Sequence, residues 1–214
     1  MLVGIKNVSV MLALAVMVAC AAPPSVNEQV ADEFAAQGLH PVTGSGFASA
    51  YARPGTQLAS YTVVDIATLA TGDVETSQTP VGGTLRRDWQ MNPEREQALQ
   101  GVWSGAMQRA FSGYDQTGEG AAVLQIQAEI TRIAPGRPTA TTIGGGMQSM
   151  ASSQDVVEVF MEFRMYDKAS GELLVVIRDS RTMISQAMSR IAPAGVQTMF
   201  NSWAALLHTR VSGR

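Results

Sequence analysis

From Val156 to Tyr166 apolar and polar residues alternate, with Val157, Val159, Met161, Phe163 and Met165 on one side and Glu158, Glu162 and Arg164 on the other. Successive side chains of a strand point to opposite faces, so this segment reads as a strand with one apolar and one polar face. Ala122 to Ile133 has the same pattern: Leu124, Ile126, Ala128 and Ile130 alternate with Gln125, Gln127, Glu129 and Thr131. A sheet wet on one face is antiparallel as a rule, and its apolar face needs a second layer to cover it.

Two helices supply that layer. Asn92 can cap a helix whose first position suits Pro93, and Glu94 and Glu96 favour its positive end. Leu99, Val102, Trp103, Ala106, Met107, Ala110 and Phe111 recur at steps of three and four, which predicts a helix to about Phe111. A last helix is predicted over Ala194–Val211, burying a stripe of Val196, Met199, Phe200, Trp203, Leu206, Leu207 and Arg210. Tyr61–Leu69 reads as the first strand and Leu173–Ile177 as the fourth, the latter returning after the turn Asp167-Lys168-Ala169-Ser170-Gly171. Gly72 to Asp88 and Ala134 to Ser153 read as long loops. The expectation is an α+β two-layer domain of about four mostly antiparallel strands with two helices on one face, in the order β-α-β-β-β-α. The third and fourth strands form a hairpin, and the last helix packs on its odd-numbered face through Phe200 and Trp203.

The N-terminus speaks to location. Lys6 precedes an apolar run, Val8 to Ala19, which ends at Cys20 and is followed by Pro23-Pro24. That run is short for a bilayer-spanning helix and has the shape of a secretory signal. Met17-Val18-Ala19-Cys20 resembles the lipobox of bacterial lipoproteins. The resemblance implies cleavage before Cys20, diacylglycerol on its thiol and, with Ala21 rather than aspartate next, the outer membrane facing the periplasm; the alternative, since Ala19, Ala21 and Ala22 also suit an ordinary signal peptidase, is a soluble periplasmic protein. Cys20 is the chain's one cysteine, so no internal disulfide is available, and acylation removes a thiol that is a liability in an oxidising compartment.

Residues 1–19 are thus expected as signal peptide, 20–43 as lipidated N-terminus and tether, and 44–214 as a single periplasmic domain. Ser25 is expected to cap a short helix over Val26–Gln37, and Phe47 and Tyr51 to pack on the domain edge. Losing residues 1–19 removes one basic residue, Lys6, and moves the net charge from −3 to −4. A mildly acidic chain is not built to neutralise phosphates, which argues against nucleic acid as a partner.

Gly46-Phe47, Tyr51, Tyr61, Asp167 with Ser170-Gly171-Glu172-Leu173, and Trp203-Ala204 together resemble the bacterial lipoprotein family catalogued as domain of unknown function 3313. That resemblance implies envelope location and lipidation, and carries no activity or site with it.

The residues that carry chemistry are sparse. His40 and His208 lie far apart in sequence, no serine sits in a nucleophile elbow, and neither histidine has metal-ligand spacing, so both read as structural. Glu158 and Glu162, about 13 Å apart on one strand face at the usual rise, are too distant for the usual glycosidase pair and read as a solvated face partnered by Arg164 and Arg178. Asp65, Asp73, Glu75 and Asp88 lack calcium-loop spacing, and Gly144-Gly145-Gly146 lacks the lysine and hydroxyl of a phosphate loop. Arg86-Arg87-Asp88-Trp89 combines residue types common at binding hot spots, although the favoured reading is that Trp89 packs under the first helix and the arginines are solvated. No catalytic residue, cofactor or metal is expected; the assigned residue is Cys20, for lipid. The leading expectation is a non-enzymatic anchored domain binding another envelope protein. The alternative is a carrier or sensor of a small apolar ligand such as a lipid, held between sheet and helices, with Ala134 to Ser153 as gate.

Overall fold

The computed structural model describes residues 23–76, 91–117, 120, 122–135, 156–184 and 194–213. Within these lie strands β1 (Ser25–Val26), β2 (His40–Thr43), β3 (Ser49–Ala52), β4 (Val63–Ile66) and β5 (Glu75–Thr76), then helix α1 (Pro93–Ala110). Strands β6 (Val123–Pro135), β7 (Val156–Asp167) and β8 (Leu173–Ile184) follow, and helix α2 (Ala194–Ser212) ends the fold. Short 3-10 segments occupy Asp32–Gln37, around a kink at Phe34, and Leu58–Ser60.

The three long strands form the antiparallel meander that their alternation predicts. Val159, Met161, Phe163 and Met165 of β7 are all buried and face the helices. β7 pairs with β8 along its length, Phe163 opposite Ile177, and with β6, Ala128 opposite Phe163. A bulge at Thr131 shifts the β6 register so that Ile130 and Ile133 both return to the apolar face. The hairpin turn closes on Gly171 at φ +71°, with its N–H on the Asp167 carbonyl at 2.8 Å and the Ser170 N–H on the Asp167 carboxylate at 2.8 Å.

Helix α1 begins as its sequence dictates. Asn92 is extended at φ −136°, its side-chain oxygen accepts the Arg95 N–H at 2.9 Å, and Pro93 holds the first position. Trp103 stacks on Phe163 at 5.9 Å between centroids and meets Phe200 edge-on at 5.7 Å, while Trp203 meets Phe163 at 6.1 Å. All four rings are buried, and both helices reach the same side of Phe163. The layer expected from the two amphipathic patterns is therefore present, and the hairpin is covered by Phe200 and Trp203.

The sheet itself corrects the expectation. It is neither four-stranded nor built in the order β-α-β-β-β-α. It has eight strands, hydrogen-bonded as β1-β2-β3-β8-β7-β6-β4, with β5 beside β6 beyond β4. Five strands precede α1. Two of the pairings are parallel: β4 lies along β6 with Val63 opposite Val123, and β5 continues along the same edge with Glu75 opposite Arg132, joined by a bridge from Ala70 to Glu129. The sheet is mixed, with both helices on one face.

The physical reason is at the N-terminus. Residues 25–43, expected as tether, and the small-residue stretch after them supply β1, β2 and β3. β3 pairs antiparallel with β8, Tyr51 opposite Val176, so this segment extends the sheet beyond the meander. The short helix expected over Val26–Gln37 is a strand followed by the 3-10 turn. Leu58–Ser60 and Tyr61 shorten the first expected strand to β4, and the fourth runs on to Ile184.

Candidate functional site

The face of the sheet opposite the helices is where the polar chemistry gathers. β6 sends Gln125, Gln127, Glu129 and Arg132 there, β7 sends Glu158, Phe160, Glu162, Arg164 and Tyr166, and β8 sends Arg178 and Ser180. Glu162 stands at its centre and corrects the reading of a uniformly wet face: it is only 6% exposed. It accepts from Arg164 Nε at 2.6 Å through one oxygen and from Arg178 Nε at 2.7 Å through the other. The expected arginine partners are in place, but as clamps on a buried carboxylate. A buried charge is tolerated when paired and hydrogen-bonded, and here two cations do both.

The N-terminal segment meets this face beside Glu162 and reaches it through Arg178. Ala31, Phe34 and Leu39 make a second small core with Val176 on this face, and Tyr51 packs on Phe34 at 4.8 Å between centroids. Glu33 binds Arg178 Nη1 at 2.6 Å, and the Arg178 guanidinium lies 5.2 Å from the Phe34 ring. The Tyr51 hydroxyl donates to Glu33; that bond and then Arg178 hold the Glu33 carboxyl below its usual range, and the same bond, with desolvation, pushes the Tyr51 phenol up. Glu33, Arg178, Glu162 and Arg164 thus form a neutral chain of alternating charge that straps residues 31–39 to the sheet.

Away from the strap the face is open and mixed in charge. Arg132 lies over the Phe160 ring at 3.8 Å, Ser180 donates to Glu158 at 2.6 Å, and Lys168 pairs with Asp65 at 2.8 Å. Gln127 is exposed and donates to Gln125 at 3.1 Å. At one end Tyr61 donates its hydroxyl to Asp167 at 2.9 Å. Desolvation, then that bond, pushes the Tyr61 phenol up to about 12, and the Ser170 backbone N–H, followed by Tyr61, holds the Asp167 carboxyl down.

The helix-side face has its own buried acid. Asp179 accepts from the Trp203 indole N–H at 2.7 Å, from Arg181 Nε at 3.1 Å and from the Ala48 N–H at 3.1 Å. A separate open depression of about 550 Å³ is lined by Thr56, Gln57, Leu58, Ala59, Ser60, Arg210 and Gly213. Arg210 there is occupied by the Ser45 carbonyl at 2.7 Å, and Gly46, at φ +78°, leaves room for its guanidinium where a Cβ would approach to 3.1 Å.

The histidines are apart. His40 bonds the Asn27 carbonyl at 2.9 Å from β2, and His208 of α2 meets Phe111 at 5.4 Å and Tyr114 at 5.9 Å. Among the described residues no group of three or more His, Cys, Asp or Glu could hold a metal ion, and no helix is long and apolar enough to cross a membrane. Cys20, Arg86 to Trp89 and Gly144 to Gly146 lie outside the described residues. The sequence reading missed Glu33, Tyr51's polar role and Asp179. Asp179 had a signal: it falls in phase with Val175 and Ile177, an inward position once the strand is continued.

No family model matches the chain, so membership of domain of unknown function 3313 is not shown, and no curated protein matches it. Several solved structures are distantly similar. The PelC dodecamer from Paraburkholderia phytofirmans aligns at a TM-score of 0.39 and 10% identity, over 73% of this chain and 96% of that one. A candidate lipoprotein from Caulobacter crescentus CB15 gives 0.34 and 11%, over 66% and 88%. A Xanthomonas campestris protein of domain of unknown function 330 gives 0.33 and 13%, over 72% and 82%. At these scores the likenesses assign neither a family nor an activity to this chain.

Proposed function

We propose that this protein is a lipoprotein of the bacterial envelope, held at the outer membrane by diacylglycerol on Cys20, whose periplasmic domain binds another envelope protein and turns over no substrate. The carrying observation is the string Met17-Val18-Ala19-Cys20 at the end of a signal-like run, five residues before the chain enters the sheet at Ser25. Binding is supported by how the described side chains are used. Trp103, Phe163, Phe200 and Trp203 fill the space between sheet and helices where an apolar ligand would have to sit. On the opposite face Glu162, Asp65 and Glu158 are engaged with arginines, a lysine and a hydroxyl as structural ties. What that face offers outward is a mixed polar surface around Gln127, Glu129, Arg132 and Phe160, the kind of surface that selects a complementary partner.

The test is cross-linking of the lipidated protein in its own envelope, repeated with Gln127→Arg and Glu129→Lys. These exposed or half-exposed sites are expected to fold normally and to reduce recovery of a specific cross-linked protein. Recovery of the wild type alone, together with a tightly bound lipid beyond the anchor or turnover of an envelope substrate, contradicts the proposal.

A further inference from the structure

We infer that the β1 end of the domain rests on the bilayer, with Val26 and Val30 in contact with lipid; the inference rests on the reading of Cys20 as the anchor. A chain spans at most about 3.3–3.6 Å per residue, so five residues place Ser25 within roughly 18 Å of an acylated Cys20. Pro23-Pro24 favours an extended path there and supplies little slack. From Ser25 onward the backbone is fixed. Ser25 pairs with Thr43 and Val26 with Val42, the Asn27 N–H bonds the Pro41 carbonyl at 2.9 Å, and the Ala31 N–H bonds the Leu39 carbonyl at 2.9 Å. The Ser25 hydroxyl also meets that of Thr43 at 2.7 Å. An anchor so close to a rigid edge limits both the height of the domain and the face it can turn to the membrane.

The side chains at that edge suit the position. Val26 and Val30, 44% and 38% exposed, are the large hydrophobic residues left exposed among the described residues, and both fall within the first eight of them. Among the described residues no element covers them, and the neighbouring bilayer supplies a cover. Residues 23–31 carry one charge, Glu28, and no lysine or arginine, so the contact is apolar and does not draw on anionic headgroups. Two half-exposed valines bind a membrane weakly alone; the anchor makes their contact intramolecular and so effective.

The test uses the full lipidated chain in phosphatidylcholine vesicles, with and without phosphatidylglycerol. A polarity-sensitive thiol probe is placed through Val26→Cys or Val30→Cys, with Gln97→Cys on exposed α1 as control. A lipid-borne quencher at headgroup depth is expected to quench the probes at positions 26 and 30 several-fold more than at 97, equally in both vesicle types. In the unlabelled protein, amides of residues 25–31 are expected to exchange several-fold more slowly on vesicles than in detergent, and Val26→Asp with Val30→Asp is expected to remove that slowing. Equal quenching at all three positions, or contact that appears only with phosphatidylglycerol, overturns the inference while an acyl chain found on Cys20 leaves the anchor reading standing. Absence of that acyl chain overturns both.

Discussion

The indole of Trp203 donates its N–H to Asp179 at 2.7 Å, and through that carboxylate helix α2 is tied to β8 and to the chain entering β3. Trp203 is fully buried, and the Asp179 side chain is 10% exposed. The bond matters more when broken than when made, because removing one partner leaves the other buried and unsatisfied.

Asp179→Ala is therefore expected to lower stability by about 1–3 kcal/mol, and Trp203→Ala, which also empties the aromatic core, by about 3–5 kcal/mol. Trp203→Phe keeps most of the ring packing and falls between wild type and alanine. Thermal melts check the order; a wild-type melting temperature for Asp179→Ala contradicts the anchoring role.

Glu162→Ala leaves Arg164 and Arg178 facing each other without their shared acid. Breaking a buried pair typically costs about 3–5 kcal/mol, but both arginines are nearly half exposed and can rehydrate, so about 1–3 kcal/mol is expected. Glu162→Lys is expected to cost more by adding a third cation. Denaturant unfolding within about 0.5 kcal/mol of wild type for both contradicts the clamp, since that is the range of ordinary surface changes.

The strap is expected to loosen in acid. The Glu33 carboxyl is held below its ordinary 4.5 by Tyr51 and Arg178, so its contribution is fully present above that value and is lost as pH falls through the lower folded value. Hydrogen exchange at the Ala31 and Leu39 amides, corrected for intrinsic rates, is expected to lose protection in that window. Glu33→Gln is expected to show weaker protection that no longer changes there. Equal acid dependence in both proteins contradicts the assignment.

At the alkaline end the sign reverses. The Tyr61 phenol is raised from 10 to about 12, so the stability it contributes is present below pH 10 and declines as pH rises toward 12. Tyr61→Phe removes this component. Melting temperature followed across that range is expected to fall less steeply for Tyr61→Phe than for wild type, and phenolate absorbance in the wild type is expected to show a late-titrating tyrosine that Tyr61→Phe lacks.

Much of the meander and both helices was legible in residue order. β7 alternates over nearly its whole length, Asn92-Pro93 marks a helix start by local chemistry, and the stripe through Trp103 and Met107 needs no tertiary information. The remaining strands were hidden for physical reasons. β1, β2 and β3 are two to four residues long, contain Pro41 or small residues, and exist because β8 offers an edge: the pairing of Ser49 with Arg178 spans most of the chain and leaves no local trace. β8 looked complete at Ile177 because Arg178, Asp179 and Arg181 are charged, and the partners of the first two, Glu162 and Glu33 for Arg178 and Trp203 for Asp179, lie on other elements. The burial of Glu162 follows from the same cause, since alternation identifies a face and cannot reveal that Arg178, itself bound by the distant Glu33, closes over the carboxylate together with Arg164.

The anchor is the claim on which location and function both rest, and the most direct measurement is the intact mass of the mature protein extracted from membranes, with its N-terminal residue identified. The account predicts a chain beginning at Cys20 that carries a diacylglycerol modification, lost together with membrane fractionation in Cys20→Ser. A chain that begins elsewhere, or an unmodified Cys20 thiol in protein that still fractionates with membranes, contradicts it.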